Sequence, residues 1–362
     1  MEGSGADCEE DRFTHEFKYF KRKQPPPDLS HVIQVDDFFK EGEQILPCSI
    51  TKEEEEYAEE VGLNPHLSWK IYSVNCHPGL LFIRNPFTSQ GQLQWIKRCL
   101  REFPCAANKT NLTSHGITLA ADTTWWQLAQ TIAGKESGIK KKLRWVTLGY
   151  HHNWDTKEYS ECLKGEMPVS LVKLCGVVSN ILGFKDFHAE AAIINYYHRD
   201  STLAPHTDHS EPYTEAPLFS FSFGQSALFL IGGPRKATKP SAIFLHSGDI
   251  MVMTGLSRQA YHAVPRVLLV AEEPWNASHN EVEVTEDIYE KERYTENKFS
   301  ASNDFSNKVT LNIDCGEKEG IKGRIFKDNN DDIEDILNYV KSCRINMNVR
   351  QVLAPSMNKL PK

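Results

Sequence analysis

Apolar residues along the chain recur with two different periods, and the change of period divides it. Between Glu9 and Lys23, Phe13, Phe17 and Phe20 stand at helical spacing until Pro25-Pro26-Pro27 stops the pattern. That predicts a docking helix followed by a stiff linker. "TKEEEEYAEEVGL" predicts a second short helix with Thr51 as its N-cap. Residues 1–67 read as an accessory segment ahead of a compact domain over residues 68–355. In that domain "PGLLFIRNPF" predicts a buried strand, and Leu93, Ile96 and Leu100 mark one face of a helix. "TTWWQLAQTIAG" predicts another helix, and "LRWVTLGYHHNWDTKEY" a strand and then a loop on the rim of a binding surface. "SLVKLCGVVSNILGF" is helical by period, with Gly183 near its end.

Strand signals dominate afterwards. "HAEAAIINYY" is a strand, "LFSFSFGQSALFLIGG" is two strands around Gly224, and "AIFLHSGDIMVMTG" reads as a hairpin turning at Ser247-Gly248-Asp249. Strands this close together without intervening helices predict an antiparallel sandwich or jelly roll. Residues 272–330 are polar and poor in aliphatics and read as an insertion. A helix in "DDIEDILNYVKSC", a closing strand over 344–353 and a short tail at 356–362 complete an α+β chain.

The 40% apolar and 25% charged residues suit a soluble globular protein, and no apolar run approaches a membrane span. The acidic N-terminus lacks a signal-like apolar stretch, and the nine cysteines form no C-x-x-C pair. Both features favour reduced thiols inside the cell, so the sequons at Asn108, Asn111 and Asn276 read as chance. Nucleus and cytoplasm are the expected compartments, with the mitochondrion as a further one. A net charge of −8 opposes indiscriminate coating of nucleic acid but permits a local basic surface. "KYFKRK" and "KKKLR" are the two basic clusters, each with a solvated face as the plain alternative.

Chemistry concentrates in "NYYHRDSTLAPHTDHSEP", which holds the triplets His198-Arg199-Asp200 and His206-Thr207-Asp208. In an extended chain, residues i and i+2 share a face, so either triplet offers an imidazole and a carboxylate to one metal. Chance supplies such matches too, as His188-Ala189-Glu190 does among 14 histidines. The kinase reading of His198-Arg199-Asp200 fails, because no Gly-rich loop precedes it, Ser201 stands where Leu must follow, and Pro205 stands where the downstream Asn is needed. A metal site needs a third ligand: His262 is a candidate, with His151 and His152 competing. In the closing strand Arg344, Asn346, Asn348 and Arg350 share one face. That face is either an edge turned to water or a buried fork for a dicarboxylate. Spacing alone separates neither these two readings nor the two triplets.

The pieces taken in order resemble the AlkB family of iron(II)- and 2-oxoglutarate-dependent dioxygenases. The signature appears as Asn195 and Tyr197, His206 and Asp208, His262, then Arg344, Asn346 and Arg350, with likeness from about Pro78 to Leu353. The resemblance implies a double-stranded β-helix (jelly roll) core with flanking helices and an N-terminal helical extension. It implies Fe(II) held by His206, Asp208 and His262, with 2-oxoglutarate and O2 as co-substrates. By the same resemblance, Asn195, Tyr197, Arg344, Asn346 and Arg350 bind the co-acid, and His198 becomes a loop residue before the site.

The activity this implies is hydroxylation of an N-methyl group on a nucleic-acid base, releasing formaldehyde, succinate and CO2. The expected partners are a tRNA stem-loop or single-stranded or locally unpaired DNA or RNA, acted on by a monomer. Trp145, Tyr150, His151 and Trp154 are expected to stack on or clasp the base, and Lys140, Lys141, Lys142 and Arg144 to meet phosphates. Two alternatives remain at this level: a protein demethylase or hydroxylase acting on, for example, histone lysine, and a non-catalytic jelly-roll adaptor that binds nucleic acid.

Overall fold

The computed structural model describes residues 10–34, 42–276 and 332–360. The predicted insertion therefore lies outside the described residues from position 277 to 331.

Among the described residues two antiparallel sheets form. The large one follows the order β1-β2-β3-β12-β9-β14-β7-β5-β4, with β6 paired to β5. Its strands are β1 (Gly42–Ile45), β2 (Lys70–Val74), β3 (Leu80–Arg84), β4 (Lys109–Thr110), β5 (Trp145–Asn153), β6 (Glu158–Lys164), β7 (Ala191–His198), β9 (Leu218–Gly224), β12 (Ile250–Met253) and β14 (Cys343–Arg350). The small one has the order β11-β10-β13-β8, built from β8 (Leu203–His206), β10 (Ser226–Ile231), β11 (Ser241–Leu245) and β13 (His262–Leu268). From β7 to β14 the chain passes repeatedly between the two sheets, which is the winding of a double-stranded β-helix.

Side-chain alternation sorts the layers. On β9, Phe219, Phe221 and Phe223 pack on the helix side, while Ser220 and Ser222 face the other way. On β14, Cys343, Ile345, Met347 and Val349 join the same apolar cluster, and Arg344, Asn346, Asn348 and Arg350 line a cavity on the opposite side. β14 runs between β7 and β9, hydrogen-bonded on both edges, so the polar face of the closing strand is interior.

A helical layer closes the large sheet, and its principal member is α7 (Val169–Ile181), whose Leu171, Leu174, Cys175 and Val178 are buried. Before it come α2 (Lys52–Glu60), α3 (Ser89–Lys97), α4 (Trp125–Gln130), α5 (Ile132–Ser137) and α6 (Ile139–Lys142); α8 (Ile333–Val340) leads into β14. A second apolar cluster joins the two sheets, with Tyr197, Leu218 and Met251 from one and Phe229, Ile243 and Val264 from the other. On the small sheet α1 (Arg12–Lys21), capped by Asp11, buries Phe13, Phe17 and Phe20 against Leu228, Leu230 and Ala263.

Several expectations change. Residues 241–254 are not a hairpin: β11 pairs with β10 in the small sheet, whereas β12 pairs with β3 and β9 in the large one. The turn between them is a corner. Gly248 has φ +85, and a Cβ there would stand 1.9 Å from Asn85 Oδ1. Asp249, fully buried, accepts from Arg84 Nη1 at 2.8 Å and from the His246 amide at 2.7 Å. The helix expected across "TTWWQLAQTIAG" breaks at Thr131, whose extended backbone ends α4 and whose hydroxyl caps α5. The loop expected after β5 is a hairpin instead, with His152 opposite Tyr159. Residues before 68 are built into the compact unit: β1 extends the large sheet, and Ala58, Val61 and Leu63 enter the main core.

Candidate active site

The two histidines of the candidate triad meet because of strand register. β13 pairs with β8 so that His262 stands directly opposite His206. Directly opposed side chains in an antiparallel pair are neighbours, and the imidazole centroids lie 4.2 Å apart. Asp208 follows two residues after His206, on the same side. Its Oδ1 is 3.8 Å from His206 Nε2 and its Oδ2 is 3.7 Å from His262 Nε2. One ligand atom from each of the three falls within 4.8 Å of the others.

Both rings are oriented by backbone. Nδ1 of His206 lies 2.9 Å from the Ala204 carbonyl, and Nδ1 of His262 lies 3.0 Å from that of Ala260. Donation there fixes the tautomer that leaves each Nε2 lone pair free for a metal. Burial pushes His262 down to about 4, aided by neighbouring His206, so its ring is neutral and ready to ligate. Burial alone would raise the carboxyl of Asp208; Arg350, then the two imidazoles and Arg258, overcome it and hold Asp208 well below the usual range. Burial likewise opposes the charge on Arg350, but Asp208 and Glu211 keep it firmly protonated. Two imidazoles and one carboxylate, open on one side to a cavity, fit iron(II).

The cavity has a volume of about 390 Å³ and opens between the sheets. Asn195, Tyr197, Arg344, Asn346 and Arg350 all line it. Arg344 is 1% exposed, and its Nη2 donates to Ser222 Oγ at 3.0 Å. Among the described residues its Nε and Nη1 have no hydrogen-bond partner, nor has the Tyr197 hydroxyl, whose ring lies 5.3 Å from the guanidinium carbon. Two unmade charged donors in a buried position are costly unless a ligand completes them. A carboxylate of a small dicarboxylate has the charge and the fork geometry to do so. Asn346 is already braced, donating to Ser220 Oγ at 2.9 Å and to the Phe221 carbonyl at 3.0 Å.

His198 does not belong to this site. Alternation along β7 sends Asn195 and Tyr197 into the cavity and leaves His198 with Tyr196 on the helix side, its ring 5.9 Å from that of Tyr339. Asp200 is exposed beyond the strand end. Of the two triplets, the one at His206 stands with His262 at the cavity, and the one at His198 turns away from it.

The expected substrate residues are divided. Trp154 is 49% exposed at the cavity wall, 5.6 Å from Trp145 and edge-on to His152 at 4.7 Å. Tyr150 is buried in a side cluster with Val352 and Leu353, and its hydroxyl donates to Glu161 at 2.5 Å, so it cannot stack on a base. His151 is also buried, with Nδ1 2.8 Å from Thr147 Oγ1. His152, weighed in sequence only as a metal ligand, takes the cavity position, because a register shift separates Tyr150 from His152. Lys140, Lys141, Lys142 and Arg144 do not line the cavity; Lys140 lies over the Trp126 ring at 4.9 Å, and Lys141 and Arg144 are exposed.

Glu211, Arg258, Tyr159 and Ser222 went unrecognised in the sequence. No local pattern marks Glu211, a carboxylate whose partners arrive from distant segments.

Residues 79–350 match the family model described as the 2OG-Fe(II) oxygenase superfamily. Over 278 residues the chain is 41% identical to "Nucleic acid dioxygenase ALKBH1" of Mus musculus, covering 73% of this chain and 72% of that protein. It is 34% identical to "tRNA demethylase abh1" of Schizosaccharomyces pombe (70% and 83%) and 28% identical to "DNA N(6)-methyladenine demethylase ALKBH1A" of Arabidopsis thaliana (68% and 78%). With the triad and the dicarboxylate fork in one cavity, the chain belongs to the AlkB family of the 2OG-Fe(II) oxygenase superfamily, whose chemistry uses Fe(II), 2-oxoglutarate and O2.

Proposed function

We propose that the protein oxidatively demethylates methylated bases in nucleic acid, with tRNA and N6-methyladenine in unpaired DNA as the substrate classes. The observation that carries the oxygenase half is the pairing, in one cavity, of the His206–Asp208–His262 cluster with a buried Arg344 whose Nε and Nη1 have no partner among the described residues. The nucleic-acid half rests on the aromatic wall at Trp154 and His152, on the basic segment from Lys140 to Arg144, and on what the named relatives act on.

In this reading His206, Asp208 and His262 hold Fe(II). Arg344, with Tyr197 and Asn195, would hold the far carboxylate of 2-oxoglutarate, Asn346 bracing that wall through Ser220 and Phe221, and Arg350 stands at the metal end beside Asp208. Bound together with O2, the metal and co-acid supply hydroxylation of a methyl C–H bond, the co-acid leaving as succinate and CO2. The hydroxymethylated base then releases formaldehyde. A methyl group on a stacked base cannot reach this cavity, so the base is extruded or taken from a loop. Trp154 stacks on it, with His152 behind, and exposed Lys141 and Arg144 meet the flanking phosphates.

The test supplies purified protein with Fe(II), ascorbate and 2-oxoglutarate, and offers methylated tRNA, methylated DNA oligomers with unpaired sites, or histone tails. Formaldehyde and succinate are measured. Turnover of tRNA or DNA is expected. Product from histone tails alone rejects the nucleic-acid reading, and no product with no metal bound leaves only an adaptor.

A further inference from the structure

Asp208 lies beyond the end of β8, where no ladder fixes its carboxylate. Two buried arginines hold the residue instead, Arg350 at the carboxylate and Arg258 at the backbone carbonyl. Arg350 Nη2 donates to Asp208 Oδ2 at 2.9 Å, and Arg258 Nη1 donates to the Asp208 carbonyl at 2.9 Å. Both arginines converge on Glu211, which is 6% exposed: Arg258 Nη2 donates to its Oε2 at 3.1 Å, and Arg350 Nε lies 3.2 Å from its Oε1. The same Oε1 accepts from the Tyr159 hydroxyl at 2.9 Å. Tyr159 stands on β6 opposite His152, ring to ring at 5.3 Å, and His152 meets Trp154 in turn.

The four charged groups, Asp208, Glu211, Arg258 and Arg350, balance. Glu211 is what keeps the two arginines from concentrating their full charge on Asp208 and weakening it as a metal donor. We propose that Glu211 is a positioning residue that ties the β5–β6 hairpin to the metal-binding carboxylate. A base gripped by the hairpin and a metal gripped by Asp208 are then registered through one buried network. This rests on the demethylase reading in its second half; the hold on Asp208 stands without it.

Two variants test it, Glu211→Gln and Tyr159→Phe. Titration with Mn(II), which binds without turnover, in the presence of 2-oxoglutarate is expected to weaken about 10- to 100-fold for Glu211→Gln and to stay within about twofold for Tyr159→Phe. On methylated tRNA, wild type yields succinate and formaldehyde in equal amounts. Tyr159→Phe raises succinate over formaldehyde severalfold, because the base is no longer registered to the metal. A packing role alone lowers thermal stability and moves neither readout. Unchanged Mn(II) affinity in folded Glu211→Gln overturns the proposal, as does an unchanged product ratio in Tyr159→Phe. Should Glu211→Gln fail to fold, Tyr159→Phe decides. A wild type that yields no formaldehyde from nucleic acid rejects the functional reading instead, and the Mn(II) titration still decides the hold on Asp208.

Discussion

Replacing Arg344 with Met separates a ligand-binding guanidinium from a structural one. Among the described residues this side chain makes one hydrogen bond, to Ser222, and one ring contact, with Tyr197, while Nε and Nη1 are left unmade. The bond to Ser222 contributes about 1.5–3 kcal/mol and the ring contact about 0.5–2 kcal/mol. Each unmade buried donor costs about 1–3 kcal/mol, so the two together offset roughly what the two contacts contribute. Met fills similar space without donors. The stability of the free protein should therefore change by no more than about 2 kcal/mol in either direction.

Co-substrate binding is affected very differently. Losing the buried partner of a carboxylate costs about 2–5 kcal/mol, a rise in Kd of roughly 30-fold to several thousand-fold. At 2-oxoglutarate near 100 times the wild-type Kd, binding stabilises wild type by about 2.7 kcal/mol; a variant weakened 100-fold keeps only about 0.4 kcal/mol. Thermal unfolding with Mn(II), with and without 2-oxoglutarate, reads both quantities. Wild type should gain several degrees and Arg344→Met about one degree or less. Arg344→Lys should fall between, since it keeps charge but not the fork. A free Arg344→Met protein destabilised by well over 3 kcal/mol, or one that keeps the full ligand-induced shift, refutes the reasoning.

Other outcomes follow from the same coordinates. His206→Ala and Asp208→Ala should abolish Mn(II) binding and turnover, whereas His198→Ala, on the opposite face of β7, should leave Mn(II) affinity within about threefold by titration. Phe13→Ala removes a fully buried ring from the seam between α1 and the small sheet and should cost about 3–5 kcal/mol in denaturant unfolding. Gly248→Ala places a Cβ into Asn85 at a corner with positive φ and should lower thermal stability by more than about 1 kcal/mol, against little change for the exposed, uncrowded Gly116→Ala beyond its own backbone strain. His77, His151 and His198 are each pushed below their ordinary value of 6.5 by burial. The unfolded chain then binds more protons, so their contribution is present above about pH 6.5 and lost as pH falls below it. A melting temperature that stays flat from pH 7.5 to 5.5 contradicts this.

The polar face of the last strand was legible as a pattern, because Arg344, Asn346, Asn348 and Arg350 alternate strictly with apolar residues. Its meaning was not, since an edge strand in water and a central strand lining a cavity carry the same alternation. Pairing with β7 on one side and β9 on the other decides it, and pairing is a property of distant segments. The same holds at Gly248. Glycine beside Asp signals a turn, but whether the chain returns to the same sheet or crosses to the facing one depends on what receives β12, and Asp249 is taken up by Arg84 and the Asn85 amide on the far side. The N-terminal aromatics gave the helix but not its place, because a docking face is identical in sequence whether its partner is this chain or another.

The triad is the sharpest case. His206 and Asp208 are a local motif, and His262 becomes their partner through the β8–β13 register, where a slip of one residue would turn it to the other face of the sheet. Glu211 is harder still to see in sequence. Its value lies in two hydrogen-bond donors, from β6 and from the turn before β13, and in an ion pair with Arg350 on β14, elements that share no spacing rule with it. A ligand set can be recognised as a family signature because metal chemistry restricts its members to a few residue types. The groups that aim those ligands are restricted by packing and charge balance alone, and many residue combinations satisfy that. The contacts that hold Asp208 in place, from Arg350, Arg258 and through them Glu211 and Tyr159, exist for this reason only in the folded chain.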